Sequence, residues 1–186
     1  MIRLNNGYEI PEMGVGTWTL KGEVATRNVR MALEEFVRDG KVRSIGVSNF
    51  NPHHLDELLS SAQIRPVINQ IELHPFMSQV DNVAYNRSLG IQVMGWAPFG
   101  QGDIDVTGHP LLQSLAAKYG KTASQIVLRW VVQRGLITIP RAKPNHYAEN
   151  LEVMHFTLDP EDMEAINALN QNLRSSPDND PENFPW

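Results

Sequence analysis

Residues 40–50 read Gly-Lys-Val-Arg-Ser-Ile-Gly-Val-Ser-Asn-Phe, and Asn51 and Pro52 follow them. The short, largely apolar run from Ser44 to Val47 predicts a strand. Asn51 followed by Pro52 is typical of a helix start, because asparagine caps free amides and proline suits the first helical position. The stretch therefore predicts a strand that leads directly into a helix.

The same order of strand and helix recurs on both sides of this stretch. Further strands are predicted at Val67 to Leu73, Ile91 to Pro98 and Leu136 to Ile139. Helices are predicted at Ala25 to Val37, Pro52 to Ala62, Val80 to Leu89, Pro110 to Tyr119, Thr122 to Arg134, near His146 to Val153, and after a cap at Asp159 and Pro160. Near the start, Asn6 and Gly7 between alternating apolar residues predict a hairpin, followed by a strand to about Val15.

This order predicts an α/β fold with a parallel sheet and outer helices. A complete (β/α)8 barrel needs eight strand and helix units and about 250 residues. The chain has 186 residues and only some of those units, with about five parallel strands. We therefore predict an incomplete barrel with an N-terminal β-hairpin, in a single domain over residues 1–186 that ends in an irregular tail at 175–186.

Composition and charge exclude several classes of function. Hydrophobic residues make up 41% of the chain and charged residues 20%, which is typical of a globular domain. The net charge of -5 argues against nucleic acid or a membrane as partner, because both need a basic face. The lack of cysteine excludes disulfides, thiolate zinc sites and cysteine nucleophiles. No leader or membrane-spanning run is seen, so a cytoplasmic protein is expected.

Six segments, in this order, resemble motifs of the aldo/keto reductase family. They are Gly14 to Trp18, Gly40 to Phe50, Asn69 to Pro75, Trp96 to Gly100, Ile139 to Ala142 followed by Glu149 and Asn150, and Asp180 to Phe184. Their shared order makes the resemblance specific, and it covers nearly the whole chain. It implies an incomplete TIM barrel and an NADPH-dependent oxidoreductase that reduces small aldehydes or ketones by hydride transfer.

The resemblance also implies which residues bind NADP(H). The nicotinamide end would be lined by Gly16, Thr17 and Trp18, with Trp18 in the substrate pocket. The carboxamide would be bound by Ser48, Asn49 and Gln70, whose groups supply donors and acceptors. The nicotinamide ring would stack on Trp96. The pyrophosphate would be covered by Ala97, Pro98, Phe99 and Gly100, and the adenosine end would be bound by Ile139, Arg141, Ala142, His146, Glu149 and Asn150.

Three of these positions depart from the residues usual in the family. Ala142 stands in place of a serine, His146 in place of an arginine, and Arg141 in place of a lysine. Arg141 keeps the positive charge that a 2′-phosphate needs, and a charge-assisted bond contributes about 1.5–3 kcal/mol. NADP(H) is therefore the predicted cofactor, with NAD(H) as the alternative.

The family keeps its catalytic residues in a segment that this sequence does not contain. An Asp and a Tyr follow the second strand there, a Lys follows the third and a His the fourth. Here Ala25 to Leu33 runs directly into Glu34 to Gly40, which resembles the helix before the fifth strand. None of the four tyrosines, Tyr8, Tyr85, Tyr119 and Tyr147, lies in an Asp-x-x-x-x-Tyr motif. We predict no catalytic residues and little or no carbonyl reduction.

Simpler roles stay open for some of these residues. Trp18 and Trp96 are alternatively core aromatics, and Arg141 is alternatively a solvated surface charge. His53 and His54, at a predicted helix start, are expected to be exposed rather than metal ligands. His74 before Pro75 is expected to shape a turn.

Three functions are compatible with the sequence: a carbonyl reductase of the family, a non-catalytic NADP(H)-binding or self-associating protein, and a remnant with no function. The incomplete arc of strands leaves two sheet edges unpaired, and open edges favour association. We therefore expect a homo-oligomer or a poorly stable chain.

Overall fold

The computed structural model describes residues 33–102, 104–141, 146–176, 178 and 180–182, and the backbone of residues 2–3 and 9–10. Strands β1 (Ile2–Arg3) and β2 (Glu9–Ile10) pair antiparallel with Ile2 opposite Ile10, as the predicted hairpin requires. Its turn and the predicted strand to Val15 lie outside the described residues. Of the first predicted helix, residues 33–38 are described and helical, and we label them α1.

Four parallel strands form the main sheet. They are β3 (Gly46–Ser48), β4 (Ile68–Glu72), β5 (Gln92–Trp96) and β6 (Ile137–Thr138), in the spatial order β3-β4-β5-β6. Each strand neighbours the next one in the sequence, and all three pairings are parallel. The four strands that follow the hairpin region in the prediction are thus confirmed, and the observed strands are shorter or begin later than predicted.

Helices follow the strands as predicted. They are α2 (Pro52–Ser61), α3 (Val80–Ser88), α4 (Pro110–Tyr119), α5 (Ala123–Gln133), α6 (Tyr147–Leu151), a 3₁₀ turn (Glu152–His155) and α7 (Pro160–Asn167). Thr122 caps α5 by accepting a bond from the Gln125 amide, and the Gln125 side chain accepts one from the Thr122 amide. This reciprocal arrangement is the predicted capping box.

The core lies between the sheet and helices α4, α5 and α7. Alternate strand residues such as Ile71 and Val93 face it, and α5 contributes most of the rest. Trp130 on α5 is fully buried, and its indole nitrogen donates to Asn167 Oδ1 on α7 at 2.9 Å. Burial of one large apolar side chain stabilises the fold by about 1.5–3 kcal/mol, so α5 is held mainly by this packing.

The opposite face of the sheet carries several polar side chains. Its residues on β4 and β5 include Gln70, Glu72, Gln92, Met94 and Trp96. Strands of a complete parallel barrel are buried on both faces and are mostly apolar. Here one face carries hydrogen-bonding groups that need partners, which makes it the face on which to look for a site. No described helix is long and apolar enough to cross a membrane.

Candidate functional site

The carboxyl ends of β3, β4 and β5 lie at one edge of the sheet, where parallel sheets place their ligands. Ser48 ends β3 and lies level with Gln70 on β4. The Ser48 hydroxyl donates to the Gln70 carbonyl at 3.0 Å, and the Asn49 amide donates to the same oxygen at 2.9 Å. Two of the predicted carboxamide ligands, Ser48 and Gln70, are therefore neighbours, and Asn49 follows directly.

Asn49 turns the chain out of the sheet and orients a tryptophan. Its φ of 59° is in the left-handed region, which asparagine tolerates better than most residues. The Trp96 indole nitrogen donates to Asn49 Oδ1 at 2.9 Å. This bond fixes the Trp96 ring across the end of β5. The side-chain nitrogen of Asn49 makes no hydrogen bond within the described residues, so it is available to a ligand's carbonyl group.

Gln70 on β4 and Met94 on β5 lie opposite each other, on the same face of the sheet as Ser48. The Gln70 amide nitrogen lies 3.4 Å from the Met94 sulfur. A thioether is a weak acceptor, so this contact restrains the amide little. A ligand with a better acceptor can therefore take the hydrogen bond of the Gln70 side-chain amide, because little free energy is lost when the contact with Met94 breaks.

The loop after β5 has an unusual backbone. Ala97, Gly100, Gln101 and Gly102 all have φ between 50° and 92°. A Cβ on Gly100 would lie 2.7 Å from the Ile104 carbonyl oxygen, so only glycine fits there. A left-handed non-glycine residue costs about 1–2 kcal/mol, and such strain concentrates at binding sites. Successive amides in turns of this kind form concavities that bind anions, as a pyrophosphate requires.

The other predicted loop residues support this turn. Pro98 is buried, and Phe99 is half-buried against the core. The Gly100 amide donates to the Ala97 carbonyl at 3.0 Å, which closes the turn. The buried Pro98 and the half-buried Phe99 therefore hold the loop against the core.

Residues that are predicted to bind the adenosine end of the cofactor follow β6 directly. The Ile139 amide donates to the Gly95 carbonyl at 3.1 Å, which extends the pairing with β5. Arg141 follows and is exposed, whereas Ala142 lies outside the described residues. An exposed guanidinium next to the sheet edge is suited to a phosphate, which planar donors bind in pairs.

The α6 region adds three further predicted residues. His146 precedes α6 and is half-buried, as is Asn150. The Glu149 carboxylate accepts from the Thr122 hydroxyl at 2.8 Å, and its carbonyl accepts from the Gln125 side chain at 2.9 Å. Glu149 therefore already ties α6 to the start of α5. Gly16, Thr17 and Trp18 lie outside the described residues.

A buried carboxylate at the end of β4 had no role in the sequence prediction. Glu72 is fully buried, and its Oε1 lies 3.2 Å from His74 Nε2. The Ser175 amide donates to the same oxygen at 2.6 Å, and an Arg174 nitrogen lies 3.8 Å from Oε2. Burial acts to raise the pKa of Glu72, but the bonds from His74 and Ser175 outweigh it and hold the pKa below its usual range.

This network anchors the predicted irregular tail next to the candidate site. The signal available in the sequence was a single acidic residue inside a predicted strand, and such a residue needs a partner if it is buried. One partner, His74, is two positions away, but Ser175 is 103 positions away, and spacing gives no indication of it. His74 also forms the expected turn, because its amide and carbonyl both bond to Met77.

Comparison with known proteins agrees with this geometry. A sequence profile of the aldo/keto reductase family matches residues 21–171. The chain belongs to the aldo/keto reductase family. It is 42% identical over 168 residues to the uncharacterized oxidoreductase YtbE of Bacillus subtilis, an alignment that covers 90% of this chain and 58% of that protein. It is 43% identical over 150 residues to the glyoxal reductase of the same organism, with coverages of 80% and 54%.

Solved structures of this aldo/keto reductase family are similar as well. An aldo-keto reductase from a Medee basin deep-sea metagenome library has a TM-score of 0.79 at 35% identity, and 83% of this chain matches 58% of that one. A Bombyx mori aldo-keto reductase in complex with NADP has a TM-score of 0.73 at 40% identity, with coverages of 82% and 52%. The chain thus spans somewhat more than half the length of these relatives. The fold is an incomplete (β/α)8 barrel, as predicted, although four of the expected five parallel strands fall within the described residues.

Proposed function

We propose that this aldo/keto reductase binds NADP(H) along the carboxyl edge of its sheet and has little or no carbonyl reductase activity of its own. The observation that carries the proposal is the cluster in which Ser48 and Asn49 both bond the Gln70 backbone and Asn49 holds the Trp96 indole. The predicted carboxamide ligands and the stacking ring therefore share one edge. The Bombyx mori relative solved with NADP supports the same cofactor.

The residues present fit a nicotinamide dinucleotide. The Asn49 and Gln70 amides supply donors for a carboxamide, and the Trp96 ring offers an aromatic face beside them. The loop from Ala97 to Gly102 supplies backbone amides for the pyrophosphate. Arg141 supplies a cation for the 2′-phosphate. When bound, the cofactor would supply a hydride for a small aldehyde or ketone, the substrate class suggested by the similarity to a glyoxal reductase.

Calorimetric titration of the full chain with NADPH tests the proposal. We expect one binding site per chain and binding weakened about tenfold or more by Arg141→Gln, because a charge-assisted bond contributes about 1.5–3 kcal/mol. The same variant should change NADH binding little, since NADH has no 2′-phosphate. Gln70→Leu should weaken both cofactors.

Arg65→Gln is the matched control, because Arg65 is exposed and lies before the amino end of β4, away from the carboxyl ends that form the candidate site. It should leave NADPH binding unchanged. Absence of NADPH binding by a chain that circular dichroism shows to be folded would contradict the proposed site. Equal losses from Arg141→Gln and Arg65→Gln would mean that only general charge attracts the cofactor.

The two outer strands of the sheet, β3 and β6, favour self-association as a second role. Within the described residues, β3 pairs only with β4, and β6 pairs only with β5. Ile139, just after β6, is a large apolar side chain that is exposed. Such edges pair readily with other chains. We therefore expect light scattering to give a mass above that of one chain at micromolar concentration, and a monodisperse monomer would count against this role.

A further inference from the structure

The start of α2 and the C-terminal tail meet in a cluster of three side chains that could bind a metal. His53 and His54 lie in the first turn of α2, and Glu182 lies in the tail. One ligand atom from each lies within 4.8 Å of the other two. The expectation that this histidine pair would be exposed holds for His53, but His54 is half-buried, and the pair has an acidic partner that sequence spacing did not show.

Contacts around the cluster already bring the two segments together. Asn51 and Glu182 are 131 positions apart, and the Asn51 side-chain amide donates to Glu182 Oε1. The other oxygen of Glu182 lies 3.5 Å from His53 Nε2, which is long for a hydrogen bond. The two imidazole rings lie 3.9 Å apart between centroids. The carboxylate is thus positioned by Asn51 and faces His53 without a good direct bond.

We propose that His53, His54 and Glu182 bind a divalent transition-metal ion of the zinc type, which joins the tail to α2. Two imidazoles and one carboxylate are a ligand set that Zn²⁺ prefers, with bonds of about 2.0–2.2 Å and a fourth position left for water. Tetrahedral geometry at those bond lengths places ligand atoms on the order of 3.4 Å apart. The cluster therefore closes by rotamer changes of the exposed His53 and Glu182 and of the half-buried His54.

Binding exchanges one helix-capping bond for a metal bond. The Asn51 amide donates to His54 Nδ1 at 3.1 Å. A neutral imidazole has a single lone pair to offer, so a metal on His54 takes the place of that bond. Because this capping bond is lost when the metal binds, we expect the affinity for zinc to be micromolar rather than nanomolar.

The test is titration of the untagged full chain with Zn²⁺ by calorimetry and with Co²⁺ by visible absorption, whose intensity reports four-coordinate geometry. We expect one site per chain and a melting temperature that rises with zinc concentration, because a ligand that binds only the folded state stabilises it. His53→Ala, His54→Ala and Glu182→Gln should each weaken binding at least tenfold. Glu182→Gln keeps a side-chain oxygen for Asn51, so it separates metal binding from tail contacts.

His155→Ala is the matched control, because His155 Nδ1 lies 3.4 Å from Glu152 in an exposed pair that has no third ligand among the described residues. It should leave zinc affinity unchanged. No saturable binding, or an affinity that His155→Ala lowers as much as His53→Ala does, would overturn the proposal. Neither outcome depends on cofactor binding, so the site stands or falls independently of the proposed function.

Discussion

We expect purified protein that receives NADPH and glyoxal to oxidise NADPH at least about 10²-fold more slowly than a full-length relative, and up to about 10⁴-fold more slowly. Loss of a general acid alone lowers the rate by about 10²- to 10⁴-fold. The residues that would position and activate that acid in this family are missing from the sequence as well. Because such residues act together, the loss in rate is not a sum of separate contributions from each of them.

We expect that the tyrosines that the structure describes do not replace the missing acid. The Tyr85 hydroxyl donates to Asp56, and that bond raises the pKa of Tyr85. Burial and a bond to Asp162 raise the pKa of Tyr119. A proton donor to a carbonyl needs a pKa shifted toward the working pH, and both shifts are in the other direction. Both residues also lie on outer helices, as does the exposed Tyr147.

The rate is measured from the decay of NADPH absorbance, with the Bacillus subtilis glyoxal reductase as the positive control in the same assay. A rate within tenfold of that control would refute the prediction. In that case Tyr8→Phe and Tyr147→Phe, compared with Tyr85→Phe, would show which hydroxyl donates the proton. Slow turnover together with measurable NADPH affinity would support a cofactor-binding role.

The second large effect is expected for Glu72→Leu, which should lower the free energy of unfolding by about 3–5 kcal/mol. Removal of the carboxylate leaves the buried groups that donate to it without an acceptor, and each such unsatisfied group costs about 1–3 kcal/mol. Here the change removes the acceptor of His74 Nε2 and of the Ser175 amide, both of which are buried with it. The His74 Nδ1 atom already has no partner within the described residues, so the ring would lose its only described bond.

The same carboxylate predicts how stability depends on pH. Its pKa is depressed in the folded state, so its contribution is fully present above the unfolded pKa of about 4.3 and is lost as the pH falls through the lower folded value. The wild-type chain should therefore lose stability in acid below about pH 4.3. The Glu72→Leu variant should show a shallower loss over that range, because the titrating group is gone.

Thermal unfolding followed by circular dichroism measures both effects. A loss of 3–5 kcal/mol corresponds to a melting temperature lower by roughly 6–20 °C for a chain of this size. Glu152→Leu is the matched control: Glu152 also faces a histidine, but both are exposed, and such pairs contribute about 0–1 kcal/mol. Equal effects of the two variants would show that the buried network does not anchor the tail.

Local signals in the sequence were sufficient for the order of elements. The Asn51 and Pro52 start of α2, the Thr122 capping box of α5 and the hairpin pairing of Ile2 with Ile10 all match the prediction. Each depends on residues close together in the chain, so spacing alone specifies it. The edge that brings Ser48 next to Gln70 follows from parallel pairing of consecutive strands, which was also predictable.

Contacts between distant segments were not predictable in this way. The Asn49 and Trp96 bond and the Glu72 and Ser175 bond join residues 47 and 103 positions apart. Both depend on where a loop or tail returns to the sheet, and side-chain type alone does not determine that return. The tail motif around Glu182 was recognised from the family, but its contact with Asn51 required coordinates.

The anchoring of Ser175 on Glu72 also bears on how the chain is made. The four parallel strands leave the ribosome well before residues 174 and 175 do. Until then the Glu72 carboxylate lacks the amide of Ser175 and the guanidinium of Arg174. A nascent chain therefore cannot bury the end of β4 without cost until residues 174 and 175 have been synthesised.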